Sequence, residues 1–251
     1  MIEFFEEIYA VALRDIKKRS SFLKYIGMLS LSIAAILFIG YGFESFIDFS
    51  QYGESYTEFF YAGIIVYTLI ISGLQISLEL ISDKNSFTRV LLVAPISRYS
   101  ILFGKILSSF VSSMKNLFIM IIFFLAIFSQ LDAIKILEII IFMFFTIVSY
   151  NGVGLLLSSF FKNRDTATQI IGFVTFGLLF LSGILYPISA MPKYAKYFLY
   201  ANPAAYTVDL FRYIMIGENF FPVKLSLIVS LIFGIIAIFF GTYIFDRNQR
   251  K

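Results

Sequence analysis

Residues 82–98 read SDKNSFTRVLLVAPISR, and this stretch lies between two segments that are hydrophobic enough to cross a membrane. Within it, Phe87, Val90, Leu91 and Ala94 follow the i, i+3, i+4, i+7 spacing of one apolar helical face. Its charged residues keep it out of the hydrocarbon, and its proline stops the helix. The pattern therefore predicts a short helix that lies flat at the membrane surface, where another protein can dock.

The composition is that of an integral membrane protein. Of the 251 residues, 59% are hydrophobic and only 14% are charged, whereas soluble domains are about half apolar and about a quarter charged. The chain contains no cysteine and no histidine. This excludes disulfides, thiolate chemistry and zinc sites built from His and Cys.

Six apolar segments have about the 20 residues that are needed to cross about 30 Å of hydrocarbon. They are residues 24–43, 59–81, 113–130, 136–160, 167–187 and 223–245. Each is predicted to be a helix, because lipid offers the backbone no hydrogen-bonding partner. The first follows a charged segment and is longer than the apolar core of a signal peptide, so we expect a retained span. The predicted units are an interfacial helix at 1–23 and a six-helix domain at 24–251.

Positive charge is distributed unevenly over the predicted loops. Most of the 20 Lys and Arg residues fall in the N-terminal segment, in the loops after spans 2 and 4, and at the C-terminus. The loop between spans 1 and 2 has acidic residues and no basic one. Because Lys and Arg accumulate on the cytoplasmic side, we expect both termini and residues 82–98 to face the cytoplasm.

The N-terminal segment is predicted to be an amphipathic helix in the headgroup plane. Its apolar face consists of Ile2, Phe5, Tyr9, Ala12 or Leu13, and Ile16, and a basic cluster follows. Two interpretations stay open at this point. The helix is either an anchor beside the membrane, or it also grips a partner in a groove.

Residues 187–217 form the second unusual region, on the opposite predicted side of the membrane. Met191-Pro192 can start one short helix, and Asn202-Pro203 can cap and start another. Both pieces are too short to cross, which predicts a broken helical hairpin in the outer leaflet. The hairpin either lines the exit of a pathway or only packs the spans.

Five further residues in this region have predicted local roles. Tyr186-Pro187 is predicted to end span 5, and Gly217 to end the second short helix. Asp209 and Arg212 lie three residues apart and can pair on one helical face.

The sequence contains no constellation for catalysis. It has no G-x-x-x-x-G-K-[ST] loop to hold ATP phosphates, and no HExxH or GxSxG motif. Gly152-Val153-Gly154 lies inside span 4, where small residues let helices approach closely, so packing is the favoured interpretation. Lys115 is expected to snorkel to the interface, with span 3 starting near it and the serine-rich stretch 99–113 lying partly along the membrane surface. An enzyme is therefore not predicted.

The order of these features resembles the membrane subunit of ABC-2 type transporters, in the daunorubicin-resistance and nodulation-export group of permeases. Residues 91–98, LLVAPISR, followed by Gly104-Lys105, are similar to the family's coupling helix and the start of its third span. Residues 181–217, with SG, P and NP followed by Tyr206, Asp209 and Arg212, are similar to its outer region. The resemblance covers nearly the whole chain.

The resemblance implies the fold of a type V ABC exporter: an all-α membrane protein with six transmembrane helices, an N-terminal interfacial helix, a cytoplasmic coupling helix and an outer broken hairpin. It also implies two sets of site residues. The ATPase-coupling set is Phe87, Arg89, Val90, Leu91, Ala94, Pro95, Arg98 and Lys105. The outer-hairpin set is Pro187, Asn202, Pro203, Tyr206, Asp209 and Arg212.

The resemblance further implies a mechanism and a set of partners. Two copies of the chain would form a pathway in the plasma membrane, surrounded by lipid, and two cytoplasmic ATPase subunits would dock on 82–98, helped by 2–19. ATP and Mg would bind to the ATPase, so this chain would hold no cofactor, and no nucleic acid is involved. Closure of the ATPases would move the coupling helices and export a hydrophobic or amphipathic substrate.

Three other functions stay open from the sequence. An ion-coupled secondary transporter or channel would need buried acidic residues or an inverted repeat, and the sequence shows neither clearly. A lipid-modifying enzyme would need a catalytic cluster. A membrane-anchoring subunit without transport would need none of these features.

Overall fold

Almost all of the described residues lie in helices. A computed structural model describes residues 2–19, 30, 33–44, 55–86, 97–128, 132–161 and 163–249, and these residues contain no strand. The helices are α1 (Ile2–Arg19), α2 (Ile33–Glu44), α3 (Tyr56–Ser86), α4 (Arg98–Phe128), α5 (Ala133–Phe160), α6 (Arg164–Leu181), α7 (Lys193–Tyr200), α8 (Pro203–Ile216) and α9 (Val223–Gln249), with a 3₁₀ turn at Ile188–Ala190. The predicted all-α class is confirmed for this part of the chain.

Four of the described helices are long and apolar enough to cross a membrane. The stretches that qualify are Tyr56–Ile81 in α3, Tyr99–Ile122 in α4, Ile134–Phe160 in α5 and Val223–Ile244 in α9. Three of them agree closely with the predicted second, fourth and sixth spans.

The first predicted span lies partly outside the described residues, and the fifth differs from the prediction. The first, 24–43, is described only in α2, an apolar helix shorter than a span. The fifth, 167–187, is shorter than predicted, because α6 ends at Leu181 and not near Pro187. The chain turns there at Gly183, whose φ of 71° lies in the left-handed region that favours glycine.

The helix that contains the third predicted span begins well before residue 113. We expected 99–113 to lie partly along the membrane surface, with the span starting near Lys115, and the point at which this helix enters the membrane stays a prediction. The helix is continuous from Arg98 to Phe128, and its apolar stretch starts at Tyr99. Lys115 lies inside this stretch with an exposed side chain.

α5 is the central helix and packs against both α3 and α9. Glycines make both contacts close. A methyl group on Gly152 would come within 2.6 Å of the Ala237 backbone in α9, and one on Gly73 of α3 would come within 2.6 Å of Tyr150. The packing role predicted for Gly152-Val153-Gly154 is therefore confirmed for Gly152. Gly154 supports it too, since its own methyl would lie 2.7 Å from a carbonyl of α3.

Candidate functional site

The N-terminal helix α1 packs along the first half of α4. The face that makes this contact contains Val11 and Ala12, which are almost fully buried. The approach is close at Gly104 of α4, where a methyl group would lie 2.7 Å from the Val11 Cβ. The glycine of the Gly104-Lys105 pair thus allows α1 to lie directly on α4.

A buried ion pair joins the two helices. Lys105 Nζ lies 3.1 Å from Asp15 Oδ2, and the two side chains are 2% and 3% exposed. Arg14 donates to Asp15 Oδ1 from Nε at 2.9 Å and from Nη2 at 2.7 Å. Because a buried ammonium is unfavourable without a counter-charge, this pair fixes the position of α1 along α4.

Glu7 of α1 holds the start of α4. Its Oε2 accepts a hydrogen bond from the Ser97 amide at 3.1 Å and from Ser100 Oγ at 2.6 Å. Amides at the start of a helix have no intrahelical acceptor, and a carboxylate there also interacts favourably with the helix dipole. α1 is therefore tied to the residue that directly follows 87–96.

The opposite face of α1 is apolar and exposed. Phe5 and Tyr9 are each 63% exposed, and Leu13 is 36% exposed. These residues belong to the apolar face that the sequence predicted for headgroup contact, whereas Ala12 belongs to the face buried on α4. α1 thus has one apolar side for α4 and one for its surroundings.

The coupling residues implied by the resemblance lie mostly outside the described residues. These are Phe87, Arg89, Val90, Leu91, Ala94 and Pro95. Arg98 is the first residue of α4. Lys105 is buried in the pair with Asp15, so its action on any docked protein goes through the position of α1.

The outer hairpin consists of the 3₁₀ turn, α7 and α8, and its capping residues were predicted correctly. Asn202 Oδ1 accepts from the Ala204 amide at 3.0 Å, with Pro203 in the first turn of α8. Asn202 Nδ2 also donates to the Leu181 carbonyl at 3.0 Å and to Ser182 Oγ at 2.9 Å. One side chain thus starts α8 and fastens it to the end of α6. Gly217 ends α8 in the left-handed region, at φ 84°.

Asp209 binds the loop that leads into α9. Its carboxylate accepts from the Phe220 amide at 2.7 Å, the Phe221 amide at 3.1 Å and Ser226 Oγ at 3.2 Å. Burial raises the pKa of Asp209 above its usual value, and the hydrogen bonds and the Arg212 charge oppose that rise. The residue therefore acts as a buried clasp between α8 and α9.

Arg212 points to a different set of partners. It donates from Nη2 to the Gly183 carbonyl at 2.9 Å and to the Phe59 carbonyl at 3.4 Å, and its guanidinium lies 3.6 Å above the Phe59 ring. Burial lowers its pKa to about 10, so it stays charged at neutral pH. The predicted pair between Asp209 and Arg212 was wrong: in the described part of the chain no ion pair joins them.

Tyr206 and Pro187 complete the hairpin set. The Tyr206 hydroxyl donates to the Tyr200 carbonyl at 3.0 Å, and its ring stacks on Phe221 with centroids 4.2 Å apart. Pro187 precedes the 3₁₀ turn that contains Ile188. The structure thus brings the hairpin residues into one packed unit, in which Asn202, Asp209 and Arg212 each bind a different neighbour.

Sequence reasoning missed Glu7 and Asp15. The signal was present, since both lie on the α1 face that also contains Val11, at the i, i+4, i+8 spacing. Two acids among apolar residues on one face indicate a buried polar contact, but not its partner. The described residues contain no group of three or more His, Cys, Asp or Glu side chains placed to bind a metal.

The comparison with known families decides what kind of membrane protein this is. A family model described as "ABC-2 family transporter protein" matches residues 24–243. The chain belongs to the ABC-2 transporter family. This confirms the resemblance drawn from residues 91–105 and 181–217, and it shows a multi-pass permease.

Curated relatives of this ABC-2 permease are also transport permeases by name. It is 29% identical to the "Putative transport permease ycf38" of Cyanophora paradoxa over 252 residues, which cover 93% of this chain and 87% of that protein. It is 29% identical to the "Inner membrane transport permease YadH" of Escherichia coli (strain K12) over 94 residues, which cover 38% of this chain and 34% of that protein.

Proposed function

We propose that this chain is the membrane-spanning permease subunit of an ATP-binding cassette exporter in the cell membrane. It moves a hydrophobic or amphipathic substrate with energy from the hydrolysis of ATP by a separate ATPase subunit, which binds the ATP and Mg. Two copies of the chain and two ATPase subunits form the complex, with both termini of the chain in the cytoplasm. Membership of the ABC-2 family is the observation that carries this proposal.

The contacts of α1 support a coupling role for residues 82–98. Glu7 and Asp15 tie α1 to the start and the first half of α4. α1 is therefore fastened to α4 from its start at Ser97 to Lys105. A protein docked on that segment would push on a braced helical pair rather than on a single helix end.

α4 can carry such a movement into the membrane. It is one helix of 31 residues, or about 46 Å at 1.5 Å per residue. Inside the bundle, Ser109 Oγ donates to Asn151 Oδ1 of α5 at 2.9 Å, and both side chains are buried. Through this hydrogen bond, a shift of α4 would act on α5. α5 in turn packs against α3 and α9.

The test is co-purification of the full-length chain from its native membranes in mild detergent. We expect a stoichiometric ATPase with a phosphate-binding loop to accompany the wild-type chain. Val90→Asp places a charge on the predicted docking face and should abolish its recovery, whereas Val90→Ile keeps the apolar face and should retain it. Both variants should insert in the membrane at normal levels, because residue 90 lies between two predicted spans.

A chain that purifies alone, with transport that is indifferent to ATP, would overturn this proposal. An ion gradient that drives the transport would then favour the secondary transporter. Recovery of the ATPase with Val90→Asp would leave the complex intact and show that residue 90 lies outside the docking surface.

A further inference from the structure

α1 and α4 form a pair of helices that has limited contact with the rest of the bundle. α4 packs more extensively on α1 than on α3 or α5, whereas α5 packs extensively on both α3 and α9. The ion pair between Lys105 and Asp15 and the hydrogen bonds of Glu7 fasten α1 and α4 to one another. This arrangement favours a shift of the two helices as one body against α5.

A hydrogen bond between two side chains joins α4 to the central helix. Ser109 Oγ of α4 donates to Asn151 Oδ1 of α5 at 2.9 Å, and both residues are fully buried. The nitrogen of the same amide, Asn151 Nδ2, has no hydrogen-bond partner among the described residues. Asn151 is thus a buried amide that uses only part of its hydrogen-bonding capacity.

A second serine lies one turn farther along the same face of α4. Ser113 follows Ser109 by four residues, a spacing that places both side chains on one side of a helix. Ser113 is 1% exposed, and its Oγ has no hydrogen-bond partner in the part of the chain that the structure describes. Because an unpaired buried hydroxyl is unfavourable, Ser113 would gain a hydrogen bond by taking the place of Ser109 beside Asn151.

The apolar side chains on the bundle side of α4 recur at the same interval of four residues. All of them pack against the hydrophobic core clusters to which α3 and α5 contribute, and they are Leu102, Ile106, Phe110 and Met114. Residues at this interval form the ridges that pack into the grooves of a neighbouring helix. A shift of α4 by four residues therefore replaces each apolar side chain by another apolar one, and Ser109 by Ser113.

A hydrogen bond to α3 is compatible with the same shift. The Tyr61 hydroxyl of α3 donates to the Met120 carbonyl of α4 at 2.5 Å. Because the main chain of a helix nearly repeats every four residues, the carbonyl of the next turn would take the place of the Met120 carbonyl. The shift thus preserves a partner for Tyr61 as well as one for Asn151.

We propose that α4 has two registers on α5, one helical turn apart, and that Asn151 accepts from Ser109 in the first and from Ser113 in the second. The structure shows the first register. Four residues of helix correspond to about 6 Å, so α1 and α4 move by that distance toward the N-terminal end of α4. The proposal concerns this permease alone. It does not depend on ATP-driven export, and it is tested without an ATPase.

The test measures the distance between α4 and α5 by double electron–electron resonance on the full-length permease in lipid nanodiscs. The chain has no cysteine of its own, so spin labels are attached to Tyr99→Cys on α4 and Leu137→Cys on α5, at two exposed positions. The helices are antiparallel, because Leu102 packs near Leu155 and Phe110 near Phe144.

This geometry separates the two labels by about 36 Å along the helix axes. The second register moves residue 99 away from residue 137. We therefore expect two distances in the wild-type sequence that differ by about 6 Å, with the shorter one belonging to the register that the structure shows.

Three serine variants test whether these hydroxyls set the two populations. Ser109→Ala weakens only the first register and should raise the ratio of the longer to the shorter distance about fivefold, as one net hydrogen bond allows. Ser113→Ala weakens only the second register and should lower that ratio by a similar factor. Ser108→Ala is the matched control, because Ser108 Oγ donates to the Lys105 carbonyl of its own helix, and it should leave the ratio unchanged.

Two further measurements separate the hydrogen bond from general loosening of the bundle. Asn151→Leu removes the shared acceptor, and in that background neither Ser109→Ala nor Ser113→Ala should change the ratio. Labels at Tyr9→Cys on α1 and Phe118→Cys on α4, both at exposed positions, should give a single distance in every variant, because α1 and α4 move together.

A single distance between residues 99 and 137, in the wild type and in Ser109→Ala alike, would overturn the proposal even if Asn151→Leu failed to fold. Buried water would then satisfy Ser113 and Asn151 within one register. A ratio that Ser109→Ala and Ser113→Ala change in the same direction would also overturn it, and so would two distances between residues 9 and 118.

Discussion

At the scale of single residues, the molecule depends on a few buried charges that each have a defined partner. Asp15 and Lys105 neutralise one another between α1 and α4, and Asp209 accepts from two amides and a hydroxyl between α8 and α9. Removing one member of such a set takes a counter-charge or a hydrogen-bond partner away from a buried group. The loss of stability is then far larger than the stabilisation that the same pair would contribute at the protein surface.

Asp15→Asn should therefore destabilise the permease strongly. It removes the carboxylate that lies 3.1 Å from the buried Lys105 ammonium, and breaking such a buried pair costs about 3–5 kcal/mol. Asp15→Leu combined with Lys105→Met removes both charges and should recover most of that loss. Thermal unfolding of the detergent-solubilised chain measures all three proteins. If Asp15→Asn melted like the wild type, the pair would not hold α1 on α4.

Arg212 shows why spacing alone did not predict partners. Asp209 and Arg212 lie three residues apart on α8, as paired residues on a helix surface do. However, α8 is buried on most sides, so each side chain meets a different neighbouring element. Arg212 reaches Phe59 and Gly183, which lie far from it in the sequence, and no local pattern contains that information.

At the scale of helices, hydrogen bonds of buried serines explain why α4 is continuous through the serine-rich stretch 99–113. Ser108 Oγ donates to the Lys105 carbonyl at 2.9 Å, and Ser109 donates to Asn151. Hydroxyls that bond to the backbone or to a neighbouring helix are tolerated inside a bundle. A serine-rich stretch therefore lowers the hydropathy of α4 without ending it. The ends of α8 were predictable, because Asn202 and Gly217 act within a few residues of themselves.

The contact between α5 and α9 should tolerate no side chain at residue 152. Gly152→Ala forces the helices apart, because the added methyl would lie 2.6 Å from the Ala237 backbone, and we expect a loss of about 1–3 kcal/mol. Gly172→Ala is the matched control, since nothing lies within 4 Å of its methyl position in α6, and it should be neutral or slightly stabilising. Thermal unfolding compares the two, and equal melting temperatures would contradict the close packing.

At the scale of the whole molecule, the sequence predicted the elements better than their assembly. Hydropathy and capping residues predicted the helices, and the resemblance of two sequence stretches predicted the family. Both predictions depend on residues that are near one another in the chain. A groove that lies between α5, α8 and α9 was not predicted. The residues that line it come from three separate stretches, 138–150, 207–214 and 223–233.

The number of crossings depends on α6. The helix has 18 residues, or about 27 Å at 1.5 Å per residue, close to the roughly 30 Å of a hydrocarbon core. Arg164 and Asp165 occupy its first turn and would have to lie at headgroup level. If α6 crosses, the outer hairpin lies on the side opposite to residues 163–166. If it does not, the hairpin lies on the same side as those residues.

Two single cysteines decide between these arrangements, in a chain that contains no cysteine of its own. Thr166 and Ser189 are both exposed and flank α6. We expect Ser189→Cys to react with a membrane-impermeant maleimide on intact cells, and Thr166→Cys to react only after permeabilisation. Equal accessibility of the two would mean that α6 does not cross, which contradicts the six-span arrangement. Reaction of Thr166→Cys alone on intact cells would show that α6 crosses in the opposite orientation, which contradicts the cytoplasmic placement of both termini.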